Sequence, residues 1–199
     1  MLHAMITVDP EANSRKHVGL GAEFALPALR SFLRRASRAV PVDGNVSVLL
    51  TTDAEIKRLN QIFRGIRKAT DVLSFPALAV PTQNPTSRPT ANRRTRVPAI
   101  AGDLAISLET AARQAAQFGH PLLIELKILM LHGLVHLAGY DHESDAGEMA
   151  TREEQLRRRF RLPSALIARS LKGETLPRAI EPGKILHRKK IVGKRTGRP

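Results

Sequence analysis

The segment "LHGLVHLAGYDH", residues 131–142, constrains this chain more than any other stretch. It places three of the seven histidines within eleven positions of an apolar run. On an α-helix four residues turn ~400°, so His132 and His136 lie ~40° apart on one face. Both imidazoles can then reach a single ion. Gly139 can take the left-handed conformation that ends a helix and turns the chain. That turn lets His142 return as a third ligand. Three protein ligands leave one coordination position for water, the arrangement of a catalytic metal site rather than a structural one. Zinc proteases of similar spacing carry their general-base glutamate directly after the first histidine. Here that position is Gly133, which cannot move a proton, so proteolysis is disfavoured. His3, His17, His120 and His187 show no such arrangement and are expected on the surface.

Composition narrows the partners. There is no cysteine, so any transition metal must sit on histidines and carboxylates. Six Phe, one Tyr and no Trp argue against an aromatic platform that stacks several bases. The net charge of +14 points to a polyanionic partner such as nucleic acid. The charge is uneven: residues 161–199 hold eleven Lys/Arg against two Glu. The stretch "MLHAMITVDPEANSRKH" has no basic start followed by an apolar core, so no signal peptide is expected. The apolar run after Pro121 contains Glu125, Lys127 and two histidines, which suits a buried helix and not a membrane span. No membrane association and a cytoplasmic location are the expectations.

Periodicity places the elements. Residues 4–9, 45–53, 70–76 and 101–107 alternate as short strands. Residues 22–40 have helical spacing, with Pro27 expected in the first turn or at the helix start. Asp53 is expected to cap a short amphipathic helix over 54–63. Ser107 or Thr110 should open a helix that Gly119 closes, and Pro121 a longer one that runs to Gly139. Ser144 or Asp145 should cap a last helix. Residues 77–100 contain four Pro, four Arg and no acid, and are expected to form a long loop or insertion. The basic stretch from 161 onward is expected to be largely disordered.

The run "HGLVHLAGYDH" resembles the signature of the YbeY family of bacterial endoribonucleases and rRNA maturation factors. A second stretch, "NQIFRGIRKATDVLSFP" (60–76), is similar to the family pattern at Asn60, Phe63, Arg64, Gly65 and Thr70 through Pro76. A third, "GDLAIS" (102–107), follows in the family's order. The three motifs span about residues 45–155. The resemblance implies an α/β (α+β) fold: a small mixed β-sheet of about four strands packed with about five helices. Residues 1–160 would form the metal-dependent RNase domain. The three-His site would lie at the C-terminal end of a central helix. The resemblance also implies one zinc per chain on His132, His136 and His142, and Arg64 as a functional basic residue beside it. It further implies action on single-stranded RNA, 16S rRNA 3′-end maturation and ribosome quality control. The partners it implies are the small ribosomal subunit and a ribosome-associated GTPase. Departures are Ala69 where the family often has Pro, the insertion at 77–100 and the basic tail.

The residues allow this chemistry. A three-His zinc lowers the pKa of bound water toward ~7 and polarises a phosphoryl oxygen. Arg64 suits a non-bridging phosphate oxygen. Asp141, the nearest carboxylate in sequence, could orient a ligand histidine or cap the turn. Tyr140 fits core packing better than substrate contact. Two routes stay open, water activated at the metal or attack by the RNA 2′-hydroxyl. A 2′,3′-cyclic phosphate end would exclude the first. Arg34, Arg35, Arg93, Arg94, Lys189 and Lys190 are candidate phosphate contacts, and deleting 162–199 should lower the salt dependence of RNA binding. The competing reading is a ribosome assembly factor with a structural zinc and no catalysis.

Overall fold

Alternating β-branched and aliphatic residues build the sheet. The computed structural model describes residues 4–14, 22–77, 99–141 and 145–163. Four strands, β1 (Ala4–Val8), β2 (Asn45–Thr51), β3 (Val72–Pro76) and β4 (Ile100–Ser107), form one sheet in the order β1-β2-β4-β3. β1, β2 and β4 run parallel, and β3 pairs antiparallel with β4. The expected small mixed sheet of four strands is therefore present.

Among the described residues six helices accompany it: α1 (Pro10–Ser14), α2 (Ala22–Ala39), α3 (Asp53–Arg64), α4 (Leu108–Gln117), α5 (Leu122–Leu137) and α6 (Glu148–Phe160). The one not expected is α1, a five-residue turn of helix too short for periodicity to reveal. Pro27 lies inside α2, not at its start, because the helix begins a turn earlier at Ala22. The cap of α3 is Thr52, whose side chain accepts from the Glu55 amide at 3.2 Å. Asp53, expected in that role, is the first helical residue. Ser107 caps α4 as one of the two expected residues. Among the described residues no single helix is long and apolar enough to cross a membrane.

The two faces of the sheet are covered differently. Ile6, Val46, Val48, Leu50, Leu104 and Ile106 point to one side and bury against α2 and α5. Leu73 and Ala105 point to the other side and meet Ile56 of α3. α5 runs through the centre and is buried without a break from Ile128 to His136. A helix apolar all round must be covered on every side. The sheet covers one side and α2, α4 and α6 the others. Phe32 of α2 meets Phe160 of α6 edge-on at 5.3 Å, which closes the layer over α5. The insertion core (78–98) and the tail from 164 lie outside the described residues.

Candidate metal centre at the end of the central helix

α5 ends as its sequence requires. Gly139 has φ +90, and the Gly139 and Tyr140 amides donate to the His136 and Val135 carbonyls at 2.9 and 3.3 Å. This is the paired end-bond pattern that a left-handed glycine permits. The turn has a second consequence. It brings the Tyr140 carbonyl back over the helix end, where it accepts from His136 Nδ1 at 3.0 Å.

His132 is held from a different element. Its Nδ1 lies 3.0 Å from Oε2 of Glu153 on α6. Glu153 is itself buried and receives Nε and Nη2 of Arg157 on Oε1, at 2.9 and 2.5 Å. Burial by itself would raise the Glu153 carboxyl, but the charges and hydrogen bonds of His132 and Arg157 outweigh it and bring it down to about 2. It is therefore an ionised acceptor, and His132 must donate from Nδ1. His136 must do the same, because a carbonyl only accepts.

With Nδ1 donating in both rings, each imidazole turns its Nε2 toward the other. The two Nε2 atoms face each other at 3.1 Å, with the ring planes 85° apart. Two ring nitrogens this close need a cation between them, a proton or a metal ion. Two nitrogens at ~2.0–2.1 Å from a tetrahedral ion stand ~3.3 Å apart, so the pair fits zinc. The donor set is nitrogen, which suits zinc over magnesium or calcium. Among the described residues no three His, Asp or Glu side chains cluster as a ligand set, and the third candidate, His142, lies outside them.

Gly133 has a packing reason to be glycine. A Cβ there would come within 2.7 Å of Leu104 Cδ2 and 3.2 Å of Ser74 Oγ. Position 133 faces the sheet at close approach, so any side chain there would press on Leu104. Ser74 is buried at this contact, 3.5 Å from the Gly133 carbonyl, and serves packing.

The second motif folds the chain around Arg64. Gly65 closes α3 with φ +72, and buried Asn60 donates to the Lys68 carbonyl at 2.7 Å, which latches the following loop. Phe63 meets Phe75 edge-on at 5.0 Å. Asp71 is buried and accepts from the Val72 amide and from Gln114. Arg64 itself is half-buried on the last turn of α3. Among the phosphate-contact candidates, Arg34 and Arg35 are exposed on α2, and Arg93, Arg94, Lys189 and Lys190 lie outside the described residues. His3, His17 and His187 lie outside them too.

One expectation needs correction. His120 is not a surface residue: its side chain is 11% exposed and its Nε2 lies 3.0 Å from the fully buried Glu125. The α4–α5 corner folds it inward against the start of α5. The carboxylate on His132 is Glu153, and Asp141 is half-buried beyond the α5 turn. A signal for Glu153 was present in the sequence. Met149, Leu156 and Phe160 mark the inner stripe of α6, and Glu153 is a charged residue on that stripe.

The sequence profile of the Endoribonuclease YbeY family matches residues 15–161. A protein named Endoribonuclease YbeY from Koribacter versatilis is 46% identical over 145 residues, covering 73% of this chain and 84% of that one. One of the same name from Solibacter usitatus is 41% identical over 160 residues, covering 80% and 96%. A Thermotoga maritima protein solved in solution is 25% identical, with TM-score 0.47, covering 79% of this chain and 91% of that one. A mixed sheet packed on a histidine-bearing central helix defines an α/β protein with a candidate metal centre. The chain belongs to the Endoribonuclease YbeY family.

Proposed function

We propose that this protein is a zinc-dependent endoribonuclease that cleaves single-stranded RNA in rRNA processing, at the 3′ end of 16S rRNA, and in ribosome quality control. The observation that carries the reading is the pair of Nε2 atoms 3.1 Å apart, each ring oriented through its Nδ1. Family membership supports RNA as the substrate.

His132, His136 and His142 would hold the metal. A bound zinc supplies Lewis acidity and a lowered pKa for water. The chain does the rest. The Tyr140 carbonyl orients His136, and the guanidinium of Arg64 binds a non-bridging phosphate oxygen. Gly133 offers no proton-transfer group, which fits a phosphodiester substrate and not a peptide. The basic surface, with Arg34 and Arg35 exposed, gathers the RNA backbone. The small ribosomal subunit and a ribosome-associated GTPase are the partners we propose, and the cytoplasm the location.

Burial favours a second reading, a non-catalytic assembly factor with a structural zinc: His132 is 0% and His136 3% exposed. One experiment separates the two. Zinc content and cleavage of a single-stranded RNA are measured on wild type and His136→Ala. Loss of both in the variant supports the nuclease. Loss of zinc with RNA processing intact moves the assembly-factor reading to first place.

A further inference from the structure

We propose that Glu153 is a positioning residue for His132, and that Arg157 holds it in that role. The inference rests on the metal-site reading above. It goes beyond that reading by assigning work to two residues of α6 that touch no substrate.

The geometry is a buried chain of three side chains. His132 Nδ1 meets Glu153 Oε2 at 3.0 Å, and Arg157 takes Oε1 through two nitrogens. Arg157 Nη1 then donates to the Pro163 carbonyl at 2.9 Å. None of the three residues is more than 2% exposed. The carboxylate is gripped at both oxygens and cannot turn about its axis. The imidazole it accepts from is fixed as the Nδ1–H tautomer, with Nε2 aimed at His136.

Stability alone gives this arrangement little reason to exist. A buried ion pair is often no better than an apolar pair of the same volume. The next pair along α6 makes the contrast. Arg158 and Glu154 have the same four-residue spacing, but their side chains are 79% and 38% exposed. A pair that serves only the helix can stay in water. Glu153–Arg157 is drawn into the core where His132 is. His136 needs no such partner from another element, because the turn after Gly139 supplies the Tyr140 carbonyl.

The test uses the full chain and zinc alone. Zinc affinity is measured by competition with a chromophoric chelator for wild type, Glu153→Gln and the double variant Glu153→Leu/Arg157→Met. The double variant replaces the ion pair by apolar groups and leaves no unpaired buried charge, which protects the fold. Arg158→Ala is the control on the same helix. Zinc binding should weaken by ~10–100-fold in both Glu153 variants and stay unchanged in the control. The ring-nitrogen NMR spectrum of the metal-free wild type should show His132 as Nδ1–H. Affinity within about twofold of wild type in either variant with native circular dichroism overturns the proposal. So does an Nε2–H tautomer at His132. A wild type that binds no zinc overturns the metal reading instead, and the NMR spectrum still decides the tautomer.

Discussion

Glu153 and Asp53 are both carboxylates facing an arginine, and they sit in opposite surroundings. The Glu153 side chain is 1% exposed and reaches from α6 into the core. The Asp53 side chain is 27% exposed at the start of α3, 2.8 Å from Arg113. Burial would raise the Asp53 carboxyl, but hydrogen bonds from Ser107, Thr110 and Arg113 lower it below its ordinary value. Around Asp53 the hydrogen bonds close on themselves. Ser107 and Thr110 donate to its Oδ1, its own amide donates to Glu109, and the N-termini of α3 and α4 are tied together. Around Glu153 the chain ends on two ring nitrogens facing each other. One network finishes a fold, and the other finishes at a place where a cation fits.

That contrast can be broken most forcefully at Glu153. Glu153→Ala leaves Arg157 buried and charged, and should cost ~3–5 kcal/mol of stability in urea unfolding. A loss under ~1 kcal/mol would mean that Arg157 reaches water or another partner once Glu153 is gone. Gly133→Ala tests the seat of the histidines from the other side of α5. Its Cβ would press on Leu104, at a cost of ~1–3 kcal/mol, with zinc binding weakened as the helix shifts.

At the Asp53 network the effects should be smaller and should not reach the metal. Ser107→Ala removes the α4 cap and one donor to Asp53, for ~0.5–2 kcal/mol with zinc affinity unchanged. The smallest effect is a change of shape in acid. The folded Asp53 carboxyl lies below its unfolded value of ~3.9, so its contribution is complete above that pH. It is lost as pH falls through the folded value. Asp53→Asn should flatten this acid limb of the stability curve, and an unaltered limb would assign the acid sensitivity to other carboxylates.

Much of the fold was legible because periodicity is local. The four strands, the five longer helices and the left-handed Gly139 follow from alternation, three-to-four spacing and the freedom of glycine. What escaped was small or distant. The five residues of α1 are below the length at which a period shows. Thr52 and Asp53 are both good caps, and only the hydrogen bond to Glu55 decides between them. His120 looked exposed in a polar corner, until the chain reversal between α4 and α5 set it against Glu125.

The candidate site divides in the same way. The i, i+4 relation of His132 and His136 is a property of any helix, so the sequence by itself determined that both imidazoles share a face. It also determined that the helix ends at Gly139, since other residues pay steric strain in that conformation. Which nitrogen of each ring points inward was decided only by tertiary structure. That choice depends on Glu153, twenty-one residues away, and on the Tyr140 carbonyl, whose direction is set by the turn. The reason Gly133 is glycine was likewise decided only by tertiary structure, because the close approach of α5 to Leu104 and Ser74 is a contact between elements. Helix geometry is fixed within a few residues by backbone sterics, whereas hydrogen-bond partners and close packing depend on which segments fold against one another.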